Sequence, residues 1–327
     1  MKKKIKILLL FCIVGISCFG QYSQNDLNKY WKYRQRYLNS FISVGASSGQ
    51  SLPFTNRNAN RYKITFTGTE YIAGGETTIS LGQYIALLGT EYKLLKINNQ
   101  DVSNTVKELY YALYAFNRLD LVGETVNGYN KPAQLDGFFI REDFPDNFLV
   151  LNSLNLNASS PNQNIYFNSG KGTPYEVSHT EFEGLLTCAT QDFYYTKYNH
   201  TPMSTDHFVG MIFGLTIANK CLNSGVKYLN NSFQDGEVDI LKEIKNITDR
   251  LLKKAERDLW ELREPDGIFV GNCENNKNTN IADHNGHLTQ YSSYLAKIGL
   301  DVTGKIYIPT GILIGSSGAL GLLSNKS

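Results

Sequence analysis

The chain has 327 residues, with 32 basic and 30 acidic side chains, 21 tyrosines, eight prolines and five cysteines. So even a charge balance gives no concentrated basic face for nucleic acid. Cys12 and Cys18 fall in the leader described next, and the remaining Cys188, Cys221 and Cys273 allow one disulfide at most, so the core rather than a disulfide scaffold must carry the fold.

Lys2-Lys3-Lys4-Ile5-Lys6, then the apolar run Ile7 to Ile16 and the small residues to Gly20, has the form of a secretory leader. The run is shorter than the roughly 20 residues of a membrane span. Cleavage after Gly20 is the expected processing, with lipid attachment at Cys18 as the rival, although Gly15-Ile16-Ser17-Cys18 lacks the usual aliphatic residue three places before the cysteine. Residues 21–327 are expected to form a single exported helical domain, periplasmic or extracellular.

Asp26 to Val44 places Tyr30, Tyr33, Tyr37, Phe41 and Val44 on one helical face, with Gly45 as the stop. Residues 46–79 read as loop, with a β-prone stretch at Tyr62–Phe66. Leu81–Ile97 is a helix capped by Thr78 or Ser80. Val102–Leu121 is another, with Val102, Val106, Leu109, Leu113 and Phe116 in a stripe. Residues 125–176 lack periodicity and read as a long irregular region, a length at which loops are usually functional. Helices are expected again at Thr180–Lys197, Ser204–Leu222, Glu237–Leu262 and Gly286–Ile298.

Ser204–Leu222 is apolar nearly all round and should be buried on all sides, its Gly210 and Gly214 admitting a neighbouring backbone. Glu237–Leu262 is one-sided, with Ile240, Ile244, Ile247, Leu251, Ala255 and Leu259 on one face and Asp235 as cap. Ile306–Leu323 carries no charge but is broken by Pro309 and several glycines, so a buried helix or apolar loop is expected rather than a membrane anchor.

A buried helix followed by a one-sided helix suggests two concentric layers. Ser204-x-Asp206-x-x-x-Gly210-x-x-x-Gly214-Leu215, then Asp235-Gly236 and Trp260…Pro265-Asp266-Gly267, resembles the hairpins of α/α-toroid, six-hairpin-like carbohydrate-active enzymes over about residues 80–300. The resemblance implies a mainly α, toroid-like array of helical hairpins; fewer than twelve helices are visible, which leaves an incomplete toroid or a different helical solenoid as alternatives. It also implies action on a polysaccharide or oligosaccharide, by hydrolysis or elimination, in a cavity ringed by helices.

Three clusters carry candidate chemistry. Asp206 and His207 open the Ser204 helix; a carboxyl there can serve as acid or base, or can simply complement the helix dipole. Asp136-Gly137-Phe138-Phe139-Ile140-Arg141-Glu142-Asp143 lies in the irregular region. There Asp136 would pair with Asp206 as acid and base, Arg141 would clamp a carboxylate and Phe138 would stack on a sugar ring. Its plainer reading is a surface turn with an internal Arg–Asp pair. Tyr194, Tyr195 and Tyr198 are further stacking candidates and His207 a positioning group. Cys273 with Asp283, His284 and His287 has zinc-type ligands, but the Asn-rich tract between them and the single cysteine make a weak match to known zinc spacings, so a helix start capped by Asp283 is the expectation and no metal or other cofactor is assigned. Phosphate-loop, nucleophile-elbow and zinc-protease signatures are absent. The rival to an enzyme is a non-catalytic glycan- or protein-binding protein of the cell envelope, with the aromatic face Tyr30, Trp31, Tyr33 and Tyr37 as a further contact surface.

Overall fold

The computed structural model describes residues 24–54, 77–126, 131–143, 203–230, 236–265, 267 and 288–309, and two short strands. These residues are mainly helical: α1 Gln24–Ser40, α2 Thr77–Ile97, α3 Ser103–Leu121, the single turn α4 Gly123–Val126, α5 Thr205–Cys221, α6 Ile240–Arg257 and α7 Ser292–Thr303. Phe167–Asn168 (β1) pairs antiparallel with Pro174–Tyr175 (β2), and Lys227–Asn230 (β3) with Gly236–Asp239 (β4), Lys227 opposite Asp239. No helix of the described residues is long and apolar enough to cross a membrane. The expected leader, Tyr62–Phe66, the Thr180–Lys197 helix, the zinc-type cluster and most of the C-terminal apolar segment lie outside the described residues.

The helix starts follow local chemistry. Asp101 accepts the Ser103 amide at 3.0 Å and opens α3 one residue later than Val102. Glu237–Asp239, expected inside a helix, is strand β4, because that stretch pairs with β3 before any helical turn can close. The cap of α6 is therefore Asp239, whose carboxylate accepts the Lys242 amide at 2.9 Å, and not Asp235. The helix ends at Arg257, ahead of Leu262, because Leu259 and Trp260 adopt left-handed backbone angles (φ 57° and 62°). That turn buries the Trp260 ring, which donates to the Ile308 carbonyl at 2.8 Å. Similarly α7 starts later than expected and runs on to Gly304, whose φ of 74° supplies the left-handed cap.

Two hairpins, α2–α3 and α5–α6, pack side by side, and the contact between α2 and α5 is backbone against backbone. A Cβ on Gly82 would lie 2.1 Å from the Gly210 carbonyl oxygen, one on Gly214 would lie 2.1 Å from that of Gly82, and one on Gly89 would lie 2.6 Å from Ala218 Cα. Contacts advance in the same sense along both helices, from Ile79 against Gly210 to Gly89 against Ala218, so α2 and α5 run parallel. Gly210 and Gly214 thus serve the close approach that their spacing suggested. But α5 is not buried all round: Phe213 is 53% exposed and Val209 and Ile217 are half-buried. Composition reports how apolar a helix is, not how many neighbours it has.

One N-terminal contact is ionic. Arg34 of α1, 5% exposed, reaches Glu91 of α2 (2.9 Å) and Glu108 of α3 (2.5 Å). Tyr30 donates to Glu91 and Tyr84 to Glu108, and Thr105 donates to Glu91 at 2.6 Å. Burial works against the Arg34 charge, but the two carboxylates outweigh it and hold the guanidinium more firmly protonated than usual. Two predictions follow from these contacts. Gly82→Ala should lower unfolding free energy by about 1–3 kcal/mol in urea titrations, because the added methyl meets rigid backbone. Arg34→Ala should cost about 3–5 kcal/mol by the same measurement, since it strands two buried carboxylates.

Candidate functional site

The site is assembled on α6. Arg250, Lys254 and Arg257 share one face at helical spacing and confront the segment 131–138. Asp120, at the end of α3, fixes that segment. Its carboxylate accepts the amides of Asp136 (3.2 Å) and Gly137 (2.9 Å) and pairs with Arg250 Nε at 3.0 Å. Gly137 has φ 93°, and a Cβ there would lie 2.6 Å from the Arg250 carbonyl oxygen, so only glycine lets the chain cross α6 this closely. Beyond the crossing, Phe138, Phe139 and Ile140 enter the core, and Phe139 accepts the Met203 amide at 2.9 Å, tying the segment to the start of α5.

A cavity of about 330 Å³ opens beside this crossing, its wall including Glu124, Asp136, Lys254, Arg257, Asp258 and Arg263. Most of its charges are matched. Arg257 donates to Asp136 at 2.6 Å. Lys254 donates to Asp258 at 2.5 Å and to the Arg263 carbonyl at 2.6 Å, and Asp258 accepts the Arg263 amide at 2.9 Å. Lys254 also lies 5.7 Å from the centre of the Phe138 ring.

Glu124 is the exception. It is 1% exposed, and among the described residues no other residue donates a hydrogen bond to either carboxyl oxygen. Burial pushes its pKa up to about 8; its own backbone N–H works against this, and the negative Asp136 and Asp120 add to the rise. Burial also acts on Asp136, but the Phe138 amide, Arg257 and Lys254 outweigh it and hold that carboxyl below the usual range. Asp120 is raised to about 6 by burial, against Arg250 and the Gly137 amide. Burial lowers Lys254, against the pull of Asp258. The cavity therefore holds a protonated carboxyl beside an ionised one at neutral pH.

Comparison with protein-family models, with curated proteins and with solved structures found no match to this chain. The site rests on its own geometry.

Of the residues picked out in the sequence, Asp136 lines the cavity. Phe138 also borders it but is fully buried, so its ring forms a floor under Lys254 and has no free face for a sugar. Asp206 and Arg141 do not line this cavity, nor the second one of about 370 Å³ bounded by Tyr110, Tyr114, Asn117 and Leu135. Arg141 is half-buried, while nearby Asp143 is held by Arg118 and the Gly49 amide (2.7 Å), and Arg118 also donates to the Ala46 and Gln50 carbonyls, which makes the Arg118–Asp143 ion pair a brace for the 46–51 turn. Tyr194, Tyr195 and Tyr198 lie outside the described residues.

Asp206 and His207 form a local cluster at the α5 start. The Ser204 hydroxyl donates to Asp206 and lies 2.6 Å from His207 Nδ1, which is 3.1 Å from Asp206 Oδ1. Ser204 occupies the cap position, but its hydroxyl serves this cluster and accepts no helix amide. Both oxygens meet the same ring nitrogen, whereas a nucleophile–base relay needs the serine on Nε2 and the acid on Nδ1. Burial raises the Asp206 carboxyl, but Ser204 and His207 together bring it below its ordinary value, so it is a poor proton donor at neutral pH.

Sequence reasoning passed over Glu124 because Val122-Gly123-Glu124-Thr125 reads as an unremarkable turn. Its folded pKa lies above the ordinary 4.5, so its contribution to stability is full below 4.5 and is lost as pH rises through about 8. Glu124→Gln should remove that slope: the wild-type chain should lose stability relative to the variant between those two pH values, as read by urea denaturation at a series of pH values.

Proposed function

We propose that this chain is an exported binding protein for a small glycan, with the Glu124–Asp136 cavity as its binding site. The observation that carries the reading is Glu124: a buried carboxyl whose two oxygens take no donor from another described residue borders a cavity of about 330 Å³, within the range of small-ligand sites. The other polar groups of the wall are already oriented by reciprocal pairs, so they offer fixed hydrogen-bond directions to sugar hydroxyls at little entropic cost. Export is inferred from the basic and apolar leader sequence.

Binding fits the wall better than glycoside hydrolysis. The acid–base role given to Asp136 and Asp206 needs one shared cavity, and Asp206 is absent from the wall that Asp136 lines. Glu124 and Asp136 sit side by side, whereas glycosidase carboxyls flank the sugar about 5–9.5 Å apart. A lyase or hydrolase remains the second reading, favoured by one feature, the protonated and ionised carboxyls held together. A toroid-like arrangement belongs to this proposal too: two hairpins whose leading helices α2 and α5 run parallel are the repeating unit from which a helical ring is built.

The test is a panel of neutral, acidic and amino sugars and their oligomers, measured by calorimetry and by product analysis. Asp136→Asn, which removes the carboxylate that Arg257 orients into the wall, should weaken the best ligand about tenfold, since each charge-assisted contact is worth roughly 1.5–3 kcal/mol. Turnover of any glycan, abolished by Glu124→Gln, would replace the binding reading with the catalytic one. No binding to any member of the panel would overturn both.

A further inference from the structure

The charges around Glu124 narrow the ligand. Its nearest charged neighbours include Asp136 and, from the end of α3, Asp120, both of its own sign. The cations of α6 are engaged elsewhere: Arg250 with Asp120, Lys254 with Asp258, and Arg257 with Asp136. From the turn after α6, Arg263 donates its amide to Asp258 and its guanidinium to the Gly267 carbonyl at 2.9 Å; Glu264 and the exposed Lys131 complete the charged wall. Among the described residues no other residue donates to either Glu124 oxygen, and the proton of Glu124 has the Asp136 carboxylate as its acceptor.

A buried carboxyl in that position has two ways to be satisfied: keep its own proton, or take a cation from the cavity. Among the described residues no group of three or more His, Cys, Asp or Glu side chains can hold a metal ion. An organic ammonium fits instead. Its three N–H donors match the two vacant oxygens of Glu124 and the adjoining Asp136 carboxylate. Because Lys131, Arg257 and Arg263 also border the cavity, a second ammonium on the same ligand would be repelled, while neutral hydroxyls would not.

We propose, on the basis of the glycan-binding reading above, that the cavity takes a hexosamine with a free amino group, its ammonium seated between Glu124 and Asp136. The ammonium enters protonated; the Glu124 O–H bond breaks as the carboxylate forms, water or buffer base takes that proton, and no other covalent bond changes. Binding is therefore linked to proton release wherever Glu124 is protonated in the free protein, and the release fades as pH approaches about 8.

The experiment is calorimetry of the full exported chain with glucosamine, N-acetylglucosamine and glucose, at mildly acidic pH in two buffers of different ionisation enthalpy. Glucosamine should bind about tenfold tighter than the other two, a difference of roughly 1.4 kcal/mol. Its apparent enthalpy should change between buffers by an amount that reports a released proton. Glu124→Gln should bind the three sugars equally and lose the buffer dependence. The buffer readout needs no variant, so it stands even if the substitution disturbs folding. Equal affinity of the wild-type chain for all three sugars would overturn the ammonium assignment and leave glycan binding intact. Glucosamine preference without proton release, or preference kept in Glu124→Gln, would also overturn it. Failure of every sugar to bind would remove the underlying reading as well.

Discussion

The contact on which the other packing depends is the one between α2 and α5, where Gly82, Gly89, Gly210, Gly214 and Ala218 let two helix backbones touch. Each helical glycine costs about 0.5–1 kcal/mol relative to alanine, and dispersion across the closely approached backbones offsets it. The consequences reach well beyond the seam. Parallel packing of α2 and α5 fixes where α5 begins, and Met203 just before it binds Phe139, so the extended segment 136–140 is anchored at one end by that seam. At its other end Asp120 and Gly137 press it onto α6. The cavity wall is what remains between these two anchors.

Around that frame the protein buries charge repeatedly, and in nearly every case it supplies the partner. Arg34 meets Glu91 and Glu108, Arg118 meets Asp143, Arg250 meets Asp120, and Lys254 meets Asp258. Such pairs are close to neutral in net stability but costly to break, so they specify which helix lies beside which more than they add to the total. Glu124 departs from the pattern. Its oxygens take no donor from another described residue, and the proposed ligand rests on that departure.

Much of the helical layout was legible from periodicity. The stripe on Val106, Leu109, Leu113 and Phe116 corresponds to buried positions of α3, and Ile240, Ile244, Ile247, Leu251 and Ala255 to buried positions of α6, whereas Leu259, expected on the same face, lies past the helix end and is exposed. Ends were less legible. A four-residue strand before α6 is too short for alternation to show, and the left-handed turn at Leu259 and Trp260 is stabilised by burying the indole against Ile308, a contact 48 residues away in the chain. In the site, Asp136 was marked by its turn and its dense charge. Phe138, expected to stack on a sugar ring, is fully buried; a run of apolar residues inside a polar loop gives no sign of whether it faces water or plunges into a core.

The sequence by itself determined most of the helix-forming segments, the small-residue stripe of α5, the one-sided apolar face of α6 and the turn chemistry at Asp136-Gly137, because each depends on residues within a turn or two of one another. Tertiary structure decided that α2 is the partner of that stripe, that the cavity wall formed by Asp136 does not include Asp206, and that among the described residues no other residue donates to Glu124. A pairing or its lack is a sum over everything brought near a group in space. For Glu124 that sum takes in α3, α6 and the 136 segment, which lie far apart along the chain, and no local pattern encodes it.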